Sequence, residues 1–207
     1  MSNSTLISYT KLSPNHSGKR TKKIDTITIH CMAGQLSVES CGALFAKSSR
    51  QASSNYGIGP DGRIALYVDE SNRSWCTSSN ANDQRAVTIE VASDATHPYA
   101  VRDKAYDALL DLVTDICKRN GIKKLVWSTS KNNRVGHLNG CNMTVHRDYA
   151  AKACPGDYLY NLQDEIAAEV NRQLGSGSST PSTGGTTGSA ADIKVGDVVE
   201  FTGPKHY

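Results

Sequence analysis

The sequence predicts an α/β domain with a central mixed β-sheet flanked by helices. Three observations lead there. Strand-like segments alternate with helix-patterned ones along residues 24–174. "IDTITIH" (24–30) and "VTIEV" (87–91) each switch faces residue by residue, as a strand requires. "NYGIG" and "RIALYV" flank the turn signal "PDG" at 60–62, so part of the sheet must be antiparallel.

The elements follow in chain order. In the first strand Thr26, Thr28 and His30 share one face, and Ile27 and Ile29 the other. Ser37 is placed to cap a helix with Val38, Cys41 and Phe45 in phase. In 87–91, Val87, Ile89 and Val91 point one way and Thr88 and Glu90 the other. Residues 103–119 carry Ala105, Leu109, Leu112 and Ile116 at helical spacing, and Asn120-Gly121 stops them. "KLVWS" (124–128) predicts a short strand. Asp157 is placed to cap one last helix bearing Leu159, Leu162, Ile166, Val170 and Leu174.

Composition narrows the function classes. The 207 residues suffice for one buried core with chain to spare. A net charge of +3 is too mild to imply a nucleic-acid partner. "KRTKK" (19–23) reads as a solvated loop, with a weak attraction to an anionic polymer as the alternative. No apolar run is long enough for a membrane span, and "MSNSTLISYTKL" lacks the pattern of a secretory signal. The six cysteines include no C-x-x-C, and free or metal-bound thiols are expected over disulfides. After Leu174, "GSGSSTPSTGGTTGSAA" (175–191) has a linker's composition. "DIKVGDVVEFTGPKHY" (192–207) reads as the opening of a further, incomplete module. The expected organisation is therefore a domain over 1–174, a tether and a stub.

The chemistry-bearing stretch is "MTVHRDYAAKACPGDY" (143–158), with His146, Lys152 and Cys154 close together. Imidazole and thiolate both bind zinc, and His30, at a strand end, would complete a three-ligand set with one position open to water. Three scattered residues also leave room for a thiol nucleophile, Cys154 or Cys31, working with a histidine. Glu90 is a carboxylate inside an otherwise apolar strand. It must be paired, face a cleft or have a function. His16, His97 and His137 read as loop residues. "NNRVGHLNG" (132–140) reads as a polar loop, either plain surface or one wall of a groove.

"ITIHCMAG", "SSNYGIGPDG", "TIEVAS" and "MTVHRDYAAKACPGDY", in this order, resemble the type 2 family of zinc-dependent N-acetylmuramoyl-L-alanine amidases. That family also holds T7 lysozyme and the peptidoglycan recognition proteins. The resemblance spans nearly all of 24–174 and is strongest to phage lysins of clostridia-like Gram-positive hosts. It implies one Zn2+ per chain held by His30, His146 and Cys154. It implies Glu90 as the proton-handling glutamate, Lys152 as the cation beside the reacting carbonyl, and Tyr56 as a tyrosine near the metal. Many relatives have Trp-His where this chain has Trp75-Cys76, so Cys76 receives no ligand role.

The implied substrate is peptidoglycan, cut between N-acetylmuramic acid and L-alanine. The implied setting is synthesis in a host cytoplasm and action on the wall after release. The tail resembles the start of a bacterial SH3-like module that grips a cell-wall polymer. A bacterial autolysin, a spore lysin and a non-catalytic peptidoglycan-binding protein are the alternatives, and the retained Cys154 and Glu90 argue against the last.

Overall fold

A six-stranded sheet organises the chain, in a computed structural model that describes residues 2–176. Its strands are β1 (Ile7–Thr10), β3 (Thr26–Cys31), β4 (Tyr56–Ile58), β5 (Ile64–Leu66), β7 (Ala86–Val91) and β8 (Met143–Val145). The spatial order is β1-β5-β4-β7-β3-β8. β4 and β5 form the expected antiparallel hairpin, and every other neighbouring pair is parallel. β2 (His16–Lys19) and β6 (Asn72–Ser74) make a separate two-stranded ribbon. The helices are α1 (Val38–Phe45), α2 (Asn80–Arg85), α3 (Asp103–Asn120), α4 (Lys131–Val135), α5 (Gly156–Asn161) and α6 (Gln163–Ser176). No helix among the described residues is long and apolar enough to cross a membrane.

The two faces of the sheet are built from opposite chemistry. On one, Ile27, Ile29, Val87, Ile89 and Ile58 meet Leu109, Leu112 and Ile116 of α3 and Ile166 and Val170 of α6 in a single apolar core. On the other face the cover is divided. α1 packs Val38, Cys41 and Phe45 against Ala65 and Tyr67 over the β5 side. Towards β7, β3 and β8 the face is polar, and α2 supplies Asn82. There the Asn82 amide donates to Thr28 Oγ1 (3.1 Å), Thr28 pairs with Thr144 (2.7 Å), and Thr144 donates back to Asn82 Oδ1 (2.9 Å). This closed ring satisfies buried hydroxyls that would otherwise be costly.

Local signals hold where chemistry is local. The Ser37 side chain accepts the Ser40 N–H and caps α1. Gly121, with φ at 70°, ends α3 as expected. Gly57 is required by a close approach: a Cβ there would sit 2.3 Å from the Tyr67 ring.

Several expectations are corrected. Residues 124–128 are not a strand: Asn171 and Asn142 side chains occupy the backbone groups of Leu125 (2.7 and 2.9 Å) and the Val126 N–H (2.8 Å), in place of a ladder. The final helix is two helices, α5 and α6. Asp157 does not cap; it lies in the first turn of α5 and pairs with His97 (3.0 Å) and Arg147 (3.1 Å). The expected polar loop at 132–140 contains α4 and a 3-10 turn. His16 opens β2 instead of lying in a loop. Arg20 leaves the "KRTKK" surface to donate to Glu70 O (2.6 Å) and Asn55 Oδ1 (2.9 Å), and burial pushes its guanidinium down to about 10. α6 runs two residues past the expected boundary, and the rest of the linker and the 192–207 stub lie outside the described residues.

Tyr56 is the main correction to the expected catalytic set. Its register partner is Ile89, so it projects from the apolar face, whereas Glu90 pairs with His30 and projects from the polar one. Tyr56 is fully buried, donates to Glu70 Oε1 (2.5 Å) and accepts the Ser4 N–H (2.9 Å). Glu70 is itself buried and gripped by Arg119 and Asn120 (3.1 Å). The tyrosine therefore ties the N-terminal arm to the core. Tyr56→Phe leaves a buried N–H and a carboxylate oxygen short of a partner. It is expected to cost about 1–3 kcal/mol in urea unfolding while kcat on cell walls stays within twofold. A large fall in kcat with unchanged stability would return Tyr56 to the catalytic set.

Candidate active site

His30 is next to last in β3 and Glu90 next to last in β7, at the C-terminal ends of parallel strands. The parallel register sets them side by side. His146 follows β8 directly and opens a 3-10 turn over His146–Asp148. Cys154 lies in the loop before α5, where its sulfur accepts the Cys31 N–H (3.5 Å) and lies 3.3 Å from His30 Nδ1.

The donor atoms of His30, His146 and Cys154 lie within 4.8 Å of one another. The imidazole centroids are 5.1 Å apart with planes tilted by 60°. Two donors at zinc-bond length and tetrahedral angle stand roughly 3.5 Å apart, which the His30–Cys154 spacing matches. Buried Nε2 atoms of both histidines and Oε2 of Glu90 have no hydrogen-bond partner among the described residues. Burial holds the His30 imidazole well below its usual range, with His146 adding to the effect. Burial and Lys152 lower His146 in the same direction. Both rings are therefore neutral and have lone pairs to give. The Cys154 thiol is held well above the usual range by its hydrogen bond with Cys31 and by burial. A divalent cation displaces that proton. The site thus fits a metal of the zinc type.

Glu90 lines a cavity of about 370 Å³ together with Cys31, His146, Lys152 and Cys154. Burial pushes its carboxyl up to about 8, with Cys31 adding to the rise. The apolar side of the cavity is formed by Met32, Leu36 and Phe45, and Arg50 stands at its rim. A second hollow of about 620 Å³ shares Arg50, Trp75, His146 and Lys152 with the first, so the two form one groove past His146. The 132–140 segment lines neither hollow.

The loop that carries His146 is pinned from behind. Asp148, 4% exposed, takes both arms of the Arg134 guanidinium (2.9 and 2.5 Å) and the Val145 N–H (3.2 Å). Arg134 also donates to Ser128 O (2.6 Å) and stacks 4.4 Å from the Trp127 ring. Arg147 fastens the other end of the loop through Ala153 O (2.6 Å) and Asp157 (3.1 Å).

The family model for N-acetylmuramoyl-L-alanine amidase matches residues 20–157. The chain belongs to this amidase family. It is thus an enzyme of the type that cleaves the N-acetylmuramoyl-L-alanine amide. No curated protein matches the sequence. Among solved structures it is similar to a mutant endolysin from Bacillus subtilis, at 18% identity and TM-score 0.57 over 79% of this chain and 99% of that one. It is also similar to the Staphylococcus aureus hydrolase AmiA in complex with its ligand, at 15% identity and TM-score 0.61 over 80% and 82% of the two chains. A third is AmpD, at 19% identity and TM-score 0.56 over 84% and 99%. At these identities the likeness is one of fold.

The structure brings His30, His146, Cys154, Glu90 and Lys152 together and leaves Tyr56 apart. Sequence reasoning missed Arg50 at the rim, the Arg134–Asp148 support and the nearness of Cys76. Asp148 lies within the quoted 143–158 stretch and Cys76 at a position where many relatives have histidine, but neither pattern tells which side chains they meet. The support is testable apart from turnover: Arg134→Ala strands a buried carboxylate and is expected to cost about 3–5 kcal/mol in chemical unfolding. A loss below about 1 kcal/mol would mean Asp148 is solvated or otherwise paired.

Proposed function

We propose that the amidase is a zinc-dependent cell-wall lysin of the endolysin kind, with one Zn2+ held by His30, His146 and Cys154. The observation that carries this reading is the convergence of two neutral imidazoles and a thiol beside a half-buried glutamate, whose Oε2 is buried and unpartnered, in an open cavity. The fold likeness to the B. subtilis endolysin and the ligand-bound AmiA supports a peptidoglycan substrate, a muramyl peptide lying along the groove. When bound, the metal polarises the amide carbonyl and lowers the pKa of a water to about 7.

The chain's own residues do the remaining work. Glu90 Oε2 accepts the proton of the attacking water and returns it to the leaving L-alanine amine, so one carboxylate serves as base and then acid. Its raised pKa keeps it near the operating range for both steps. Lys152, on the rim beside His146 and Cys154, presents an ammonium where negative charge grows on the carbonyl oxygen. Met32, Leu36 and Phe45 exclude water from the apolar end, which strengthens these charge interactions.

Digestion of purified walls tests the reading. New free L-alanine amino groups should appear without new reducing sugars, and chelation should stop their release. Glu90→Gln should retain the metal and lose about 10²–10⁴ of kcat. Reducing sugars, or full activity after complete metal removal, would overturn the proposal. For Lys152→Ala the expected change is a fall in kcat larger than any rise in KM, because the charge is wanted mainly in the transition state. A rise in KM alone would make Lys152 a substrate-binding residue.

A further inference from the structure

Cys76 has no place in the ligand set expected from the sequence. Yet its sulfur, a ring nitrogen of His30 and a carboxylate oxygen of Glu90 lie within 4.8 Å of one another. This is a second three-donor constellation, sharing only His30 with the first. It is built rather than incidental. Asp83, 2% exposed, accepts the N–H groups of Cys76 (3.0 Å) and Thr77 (3.2 Å) and holds the turn that presents the thiol. On the other side, Trp75 is tied to Ser53 through its carbonyl (2.9 Å) and its N–H (3.1 Å).

Two polar atoms of the constellation are buried and unpartnered, His30 Nε2 and Glu90 Oε2. The His30 nitrogen facing Cys154 is Nδ1, at 3.3 Å, which leaves Nε2 for the second set, where it becomes a ligand by giving up the ring proton. Cys76 and Glu90 both line the 370 Å³ cavity, which gives a cation a way in.

We propose that Cys76, Glu90 and His30 form a second seat, for a soft divalent cation such as Cd2+ or excess Zn2+, beside the metal site of the proposed lysin. Thiolate, imidazole and carboxylate are the donors such cations prefer. Coordination replaces the Cys76 S–H bond with a sulfur–metal bond. The thiol proton leaves to solvent, and with both seats filled the His30 ring N–H proton leaves as well, so that the ring bridges the two cations as an imidazolate; no electrons change hands. Filling the seat engages the Glu90 carboxylate and removes it from proton transfer, so occupancy inhibits. Only this inhibition rests on the lysin reading; the seat itself does not.

The full chain is titrated with Cd2+, following thiolate-to-cadmium charge-transfer absorption and the metal retained after gel filtration. The wild type should hold about two Cd2+ per chain, and Cys76→Ser and Glu90→Gln about one each. Circular dichroism confirms that both variants fold. Excess Zn2+ should inhibit wall lysis by the wild type, and Cys76→Ser should need at least roughly tenfold more Zn2+ for the same inhibition. The proposal is overturned if the wild type saturates at one equivalent and Cys154→Ser abolishes it. It is equally overturned if both variants titrate as the wild type does. The primary site is read separately: if Cys154→Ser and His146→Ala leave Cd2+ uptake unchanged, the lysin metal assignment fails and the Cys76 seat is judged on its own variants.

Discussion

The parallel pairing of β3 with β7 and β8 is the constraint on which the site depends. It sets His30 opposite Glu90 and delivers the chain to His146 just past Val145. A slip of one residue would turn His30 into the apolar core and bring Cys31 to the polar face. Six consecutive register pairs between β3 and β7 hold the alignment. The closed ring of Asn82, Thr28 and Thr144 locks it again from the polar side. Every residue of β3 is buried, so any slip would strand either methyls or hydroxyls.

The division of the sheet's cover then decides where a substrate can reach. α3 and α6 close one face with apolar side chains. α1 closes only the β5 half of the other. The gap opens over the C-terminal ends of β3 and β7. A half-open polar face gives low local dielectric and access together. Burial keeps both imidazoles neutral and Glu90 near neutrality, while Lys152 and Arg50 reach the rim. The same burial leaves nitrogen and oxygen atoms without partners, a cost that a bound cation offsets.

Site residues carried by loops need fastening that those carried by strands do not. His146 and Cys154 both lie outside the ladders. The Arg134–Asp148 pair anchors the start of their segment, and Arg147 with Asp157 its end. Gly156 permits the tight entry to α5: its φ is 80°, and a Cβ there would stand 2.5 Å from Tyr99 Cβ. Arg134 and Arg147 also flank the Tyr160 ring, at 5.7 and 4.5 Å, so one aromatic side chain braces both anchors.

By itself the sequence determined what short-range chemistry controls. The alternation in β3 and β7, the hairpin around "PDG", the Ser37 cap and the Gly121 stop are all local, and each element formed as its pattern required. The motif residues His30, His146, Cys154, Glu90 and Lys152 were equally legible through their family resemblance. What tertiary structure decided depends on partners far away in the chain. Residues 124–128 have strand-like composition, but Asn142 and Asn171 take their backbone groups. The last helix has one apolar stripe but is two helices. Tyr56 sits within a site motif, but strand register turns it to Glu70 and Arg119. Cys76 stands where many relatives have histidine and received no ligand role, but Asp83 draws it beside His30. A side chain's face follows from periodicity; its neighbours follow only from register and packing, which no local window of sequence contains.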